Sequence, residues 1–204
     1  MPVLCKGSGV LKYTLQKNQM RHQNTLDLAG TSLVIIDMQE AFRATIADFT
    51  ETAARIALVT RAVQLLRVPV IVTEQYPRGL GHTADEIKTV LPNTLRVIEK
   101  TAFSSCGASE FTTALANIGS RKVLVCGIEA HICVNQTTHD LLAQGFQVHL
   151  LIDCITARSA QNKQIGLAKM QQSGAIPSSI EMALFELMRD AKHEQFKAIQ
   201  KLIK

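Results

Sequence analysis

Four short apolar runs limit what this chain can fold into: "SLVIID" (32–37), "VPVIVT" (68–73), "KVLVCGI" (122–128) and "QVHLLID" (147–153). Each is dense in leucine or β-branched residues without polar alternation, the pattern of strands buried on both faces. Two weaker runs accompany them. "LRVIEK" (95–100) alternates apolar and polar residues as an edge strand does, and "GAIPSS" (174–179) carries Pro177, which a sheet tolerates only at its edge. Segments of helical period lie between the runs, at about 47–66, 83–89, 107–117, 132–144, 159–172 and 179–190, with a last one near 193–203. Breakers agree with these boundaries: Gly119 and Gly145 stop helices and Pro69 opens the second strand. Alternating strands and helices joined by right-handed crossovers predict an α/β fold. The expected architecture is a three-layer, doubly wound, Rossmann-like sheet of six mostly parallel strands with helices on both faces.

At 204 residues, with 47% hydrophobic and 19% charged residues, the chain has enough apolar material for one buried core. A single domain over 31–204 follows an N-terminal basic arm, 1–30. Of the formal net charge of +5, the arm contributes +3 through Lys6, Lys12, Lys17 and Arg21 against Asp27. The body is therefore close to neutral and carries no basic stripe, which together with 4% aromatic residues argues against a nucleic-acid partner. No apolar run reaches the roughly 18–20 residues that cross a bilayer, and the N-terminus lacks the layout of a secretory signal. No membrane partner and a cytoplasmic location are expected. A mitochondrial transit segment is the alternative reading of the arm, but one arginine and little serine favour a surface or subunit-contact arm. Cys5, Cys106, Cys126, Cys133 and Cys154 form no C-x-x-C pair, so neither a disulfide framework nor a zinc knuckle is expected. Cys126 and Cys154 read as small core side chains.

In doubly wound sheets ligands bind beyond the carboxyl ends of the strands, where the strand order reverses. Those ends carry Asp37, then Thr73 and Glu74, then Lys100, then the segment Gly127 to Cys133, then Asp153. A strand order of 3-2-1-4-5-6 sets strands one and four side by side, with Asp37 and Cys133 facing one crevice. Singly, each has a bland role: Asp37 as a helix cap, Lys100 as a solvated edge charge, Cys133 as core. Together, a carboxylate, an ammonium and a thiol supply a proton acceptor, a charge organiser and a nucleophile. The helix N-terminus and Lys100 are expected to favour the Cys133 thiolate. Asp37 is placed to take the thiol proton and deliver it to a leaving amine, and backbone N–H groups of the 127–133 turn to stabilise an oxyanion.

These residues stand in stretches that resemble the isochorismatase-like cysteine hydrolase superfamily: "VIIDMQEAF" (34–42), "EKTAFS" (99–104) and "GIEAHICVNQTTHDLLAQGFQVHLLIDC" (127–154), in that family's order and spacing. "VPVIVTEQYPRGLG" (68–81) and the tail "HEQFKAIQKLIK" (193–204) narrow the resemblance to the branch of isochorismatase domain-containing proteins, over roughly residues 31–204. The resemblance implies a triad of Asp37 as base, Lys100 as the residue that orients and lowers the thiol pKa, and Cys133 as nucleophile. It implies a hydrolase that cleaves a non-peptide C–N bond in a small amide, ureide or related acyl compound through a Cys133 thioester, without a cofactor. It also implies a cis peptide bond between Ile128 and Glu129 that aims the N–H groups of Glu129 and Cys133 at the oxyanion. Assembly as a homo-oligomer is a further family expectation, with "EMALFELM" (181–188) serving as contact surface or as ordinary core.

Three features depart from relatives. Ala130 stands where many have threonine, so a supporting hydroxyl is missing. Nicotinamidases hold a metal after the second strand, whereas "TEQYPRGLGH" (73–82) offers Glu74, Tyr76 and a single His82, too few ligands for a metal. Isochorismatases proper lack the nucleophilic cysteine and cleave a vinyl ether, so the presence of Cys133 separates the family name from the substrate. Gln39, Phe42, Gln75, Tyr76 and His131 flank the strand ends and are the candidate substrate-binding residues; Phe103 reads as packing or loop surface. Two other function classes stand beside the hydrolase: a non-catalytic scaffold or regulatory protein on the same fold, and a ribonuclease, against which the missing paired-histidine chemistry argues.

Overall fold

The computed structural model describes residues 22–204; Lys6, Lys12, Lys17 and Arg21 of the arm lie outside the described residues. Six strands, β1 (Thr31–Ile36), β2 (Val70–Gln75), β3 (Ile98–Lys100), β4 (Lys122–Gly127), β5 (Gln147–Ile155) and β6 (Ile176–Ser178), form one sheet in the order β3-β2-β1-β4-β5-β6. Every pairing is parallel. The order reverses between β1 and β4, as the strand runs predict.

Among the described residues eight α-helices surround the sheet: α1 (Phe49–Leu65), α2 (Pro77–Leu80), α3 (Asp85–Lys88), α4 (Ser109–Ile118), α5 (Cys133–Ala143), α6 (Ala160–Gln172), α7 (Ile180–Met188) and α8 (Phe196–Ile203). The period-two alternation of the central strands explains the two layers of core. On β1, Leu33 and Ile35 pack with α1, α3, α7 and α8, while Val34 and Ile36 pack with α4, α5 and α6. Fully burying a side chain of this size is worth roughly 1.5–3 kcal/mol, and each central strand does so on both faces. Cys126 and Cys154 are buried in the first layer, as core readings of both require.

Several boundaries differ from the sequence reading, and for three strands the reason is local. Strand β2 begins at Val70 rather than 68, because Arg67 adopts a left-handed φ of 57° and the Val68 N–H bonds back to Val63 O at 2.9 Å, closing α1. Strand β5 runs on to Ile155, because its register slips opposite Val125 to Gly127 and two more residues join the ladder. Strand β3 is cut to three residues by the turn in which Leu95 N–H bonds Pro92 O. Helix α7 turns Ala183, Leu184 and Leu187 into the core and leaves Met182 and Phe185 exposed, with Phe185 edge-on to Phe196 at 6.1 Å.

The described end of the arm packs on the body. Leu26 is fully buried, its N–H donates to Glu186 Oε2 at 2.9 Å, and Lys122 Nζ binds Asp27 Oδ2 at 2.6 Å. At the far end of the sheet from the strand carboxyl termini, His149 of β5 is 1% exposed, and burial, aided by the Lys122 charge, lowers its pKa to about 4. The unfolded imidazole takes up its proton near pH 6.5, so stability is present above that value and is lost as pH falls through about 4. Wild type is expected to lose about 3 kcal/mol more than His149→Leu between neutral pH and pH 4, measured by urea unfolding at each pH. Parallel stability curves for the two proteins would show that His149 is not a buried neutral base.

Candidate active site

Asp37, the residue after β1, has a positive φ of 51° and is 2% exposed. Lys100 closes β3, two strands away, and its side chain crosses the end of β2 to reach Asp37. The ammonium donates to Asp37 Oδ2 at 2.6 Å, Gln75 Oε1 at 2.8 Å, Phe103 O at 3.1 Å and Ala102 O at 3.2 Å. Three protons shared among four acceptors leave no freedom for this head group, and they wrap the 101–103 loop around it. The second carboxylate oxygen, Asp37 Oδ1, accepts from Thr73 Oγ1 at 2.7 Å.

Gln39 is fully buried and acts as a clasp rather than a pocket wall. Its Nε2 donates to Gln75 O at 3.0 Å and Gly81 O at 2.7 Å, and its Oε1 accepts from Gln75 N–H at 2.7 Å. The clasp fixes Gln75, which in turn holds Lys100.

Cys133 arrives from the other half of the sheet, at the first residue of α5. What brings it close is Gly127, the last residue of β4: with φ at 116°, a Cβ there would sit 2.0 Å from Ile36 O, so only glycine lets the ends of β4 and β1 touch. The Ile128–Glu129 peptide bond is cis, as the family resemblance implies. Around it the N–H groups of Ile128, Ala130 and Ile132 bond to Ile36 O, Thr156 O and Glu129 O. Among the described residues, the intervening Glu129 N–H and the Cys133 N–H have no such turn or side-chain partner.

A cavity of about 200 Å³ opens between these elements. Asp37, Cys133, Gln75, Glu129 and Arg158 supply its polar atoms, and Phe42, Leu80, Phe103, Ile128 and Ile132 its apolar wall. It is smaller than the roughly 300–1,000 Å³ of drug-sized sites, so it suits a compact ligand.

The electrostatics reverse one expectation. Burial pushes the Cys133 thiol up to about 12, and the negative charge of the nearby Asp37 carboxylate adds to the effect; Lys100 pulls the other way and loses. The reason is local: Lys100 has already neutralised itself against Asp37 at 2.6 Å, so the thiol meets a paired ammonium in a dry site. The resting side chain of Cys133 is a thiol beside a carboxylate, not a thiolate.

Of the candidate pocket residues, Phe42 and Gln75 line the cavity and three do not. Gln39 is consumed by the clasp. Tyr76, with φ of 38°, lays its ring over Gly79 and lines a separate surface cleft with Pro77 and Arg78. His131 turns toward α6, where its Nε2 lies 3.4 Å from Asn162 Nδ2. Phe103, read as packing or loop surface, is exposed on its loop and also forms part of the wall. The residues missed are Leu80, Ile128, Ile132 and Arg158. Arg158 binds Glu129 through contacts of 3.0 and 3.1 Å, and this pairing holds the Glu129 carboxyl below the usual range against the opposing effect of burial. The strand-end rule would have reached Arg158 had β5 been read through to Ile155. Glu74 has its oxygens committed to Thr83 N–H at 2.6 Å, Thr83 Oγ1 at 2.7 Å and His82 Nδ1 at 3.0 Å, a structural pin for the loop that carries Leu80.

Lys100→Ala would strand a buried carboxylate, so it is expected to cost about 3–5 kcal/mol of stability by urea unfolding. A cost below about 1 kcal/mol would place the pair among solvated ion pairs.

A parallel, doubly wound sheet with a thiol, a carboxylate and an ammonium at its switch point defines an isochorismatase-like hydrolase fold, and comparison with known proteins agrees. The family model described as "Isochorismatase domain" matches residues 31–182, and the chain belongs to that family. Isochorismatase domain-containing protein 2 from Pongo abelii is 45% identical over 178 residues, covering 87% of this chain and 85% of that protein. The MAR1 ribonuclease from Caenorhabditis elegans superposes with a TM-score of 0.84 at 36% identity, over 88% of this chain and 92% of that one. YcaC from Pseudomonas aeruginosa, solved with hexane-2,5-diol and covalent acrylamide, shares the fold with a TM-score of 0.82 at 21% identity, over 90% and 93% of the two chains. Family membership supports a hydrolase-type function.

Proposed function

We propose that the chain is a cysteine hydrolase of a small amide, ureide or related acyl compound, with Asp37, Lys100 and Cys133 as its triad. The observation that carries the reading is that one cavity is lined by both the Cys133 thiol and the Asp37 carboxylate, whose other partner is the buried Lys100 ammonium. Cys133 Sγ attacks the carbonyl carbon as its proton passes to Asp37, and the carbonyl electron pair moves to the oxygen. The Glu129 and Cys133 N–H groups receive that oxyanion. Collapse expels the amine, which takes the proton from Asp37, and leaves a Cys133 thioester. Water then attacks the thioester, gives its proton to Asp37, and the acid departs as the proton returns to sulfur. Because the resting group is a thiol with its pKa near 12, proton transfer accompanies attack rather than preceding it.

The likeness to the MAR1 ribonuclease favours RNA as a second substrate class. Against it stand the compact, apolar-walled cavity and a lining that includes neither His131 nor His82. Intact-protein mass spectrometry after exposure to a panel of small amides and activated esters, with acrylamide as a thiol probe, distinguishes these readings. A wild-type adduct on Cys133, absent in Cys133→Ala and formed about 10²–10⁴ times more slowly in Asp37→Asn, is the expected result. A folded protein that gives no Cys133 adduct would return the chain to a scaffold role. Salt-sensitive RNA cleavage that survives Cys133→Ala would establish the ribonuclease reading instead.

A further inference from the structure

Behind Asp37 lies a run of buried hydroxyls that the reaction as proposed does not use. Thr73 Oγ1 spends its single proton on Asp37 Oδ1 at 2.7 Å. Ser105 Oγ stands 3.5 Å from Thr73 Oγ1, so of these two Ser105 must be the donor. Thr137 Oγ1 donates to Ser105 Oγ at 3.3 Å and accepts the Ser105 backbone N–H at 2.9 Å. The run begins at an N–H, which only donates, and ends at a carboxylate, which only accepts; every hydroxyl between is therefore pointed one way, toward Asp37. Thr73, Ser105 and Thr137 are all fully buried. They belong to β2, to the turn Ser105–Gly107 and to α5, where Thr137 sits one helical turn after Cys133.

We infer that Thr73, Ser105 and Thr137 are positioning residues of the hydrolase: a one-way hydroxyl chain that holds the Asp37 carboxylate in its orientation and ties it to the helix that carries Cys133. The inference rests on Asp37 being the base of the proposed reaction. Lys100 fixes one oxygen of that carboxylate by charge, and the hydroxyl chain fixes the other by direction, so the plane of the group is set from two sides. The charged and titratable groups facing Asp37 are Lys100 from β3 and Cys133 from α5, with Glu129 and Arg158 across the cavity. A donor to a carboxylate favours its ionised form, so removing one disfavours the form that accepts the thiol proton.

The test is the pH profile of Cys133 labelling by iodoacetamide, resolved by site with mass spectrometry, in wild type, Thr73→Val, Thr73→Ser and Ser105→Ala. Thr73→Val is expected to slow labelling about tenfold and to move the acidic limb of the profile up by about one pH unit. Thr73→Ser, which restores the hydroxyl, is expected to recover both, and Ser105→Ala, which removes a single oxygen from the core, to move both in the same direction by less. A purely structural role would change stability and leave the limb where it is. Profiles of Thr73→Val and Ser105→Ala that superpose on wild type, or a Thr73→Ser as impaired as Thr73→Val, would overturn the chain while a reactive wild-type Cys133 leaves the hydrolase reading standing. A wild-type Cys133 no more reactive than Cys106 would remove the hydrolase reading, and this inference with it.

Discussion

The ion pair between Lys100 and Asp37 is the contact on which the rest of the site depends. Both side chains are almost wholly out of water, and taking two charges into a protein interior costs several kcal/mol per ion unless each is fully hydrogen-bonded. Here each is. The ammonium has Gln75 and two loop carbonyls besides the carboxylate, and the carboxylate has Thr73 besides the ammonium. That demand for partners organises the carboxyl edge of the sheet: it draws the 101–103 loop over β3, recruits the end of β2, and makes the Gln39 clasp necessary.

The same pair decides the state of the thiol. Four influences meet at Cys133: the helix N-terminus and Lys100, which favour the thiolate, and burial and the Asp37 charge, which oppose it. A helix terminus is worth typically 0.3–1 kcal/mol and reaches about 2 when partly buried, while a dry site moves a pKa by up to several pH units. Burial and Asp37 prevail, with the pKa near 12. A buried thiol beside a carboxylate keeps a proton and a group able to accept it side by side, which suits the proposed reaction, in which that proton must later reach a leaving amine.

Much of this was legible in the sequence because buried parallel strands advertise themselves. The runs at 32–37, 68–73, 122–128 and 147–153 found four strands, and the strand-end rule then pointed to Asp37, Lys100 and Cys133. Side-chain direction was not legible. Tyr76 and Gln39 stand at strand ends, but a left-handed backbone turns the first outward and three hydrogen bonds consume the second. Arg158 escaped because a register slip lengthens β5, and no local pattern encodes a slip set by the neighbouring strand. The sign of the Cys133 shift escaped for a related reason: sequence shows which charges are near a group, but not which of them are already spent on each other.

Gly127 has a wider consequence. Because the contact of its backbone with Ile36 O sets how close β4 comes to β1, the spacing between Cys133 and Asp37 belongs to the main chain. Of the apolar wall, Ile128 and Ile132 lie in the turn after Gly127, while Leu80 on α2, Phe103 on the 101–103 loop and Phe42 before α1 come from elsewhere. Part of the wall is thus set apart from the main-chain contact that spaces Cys133 from Asp37. Changing the Leu80, Phe42 and Phe103 side chains while the Ala102 and Phe103 carbonyls stay on Lys100 can retune what enters, and a single scaffold of this kind can diversify its recognition while the Cys133–Asp37 geometry stands still.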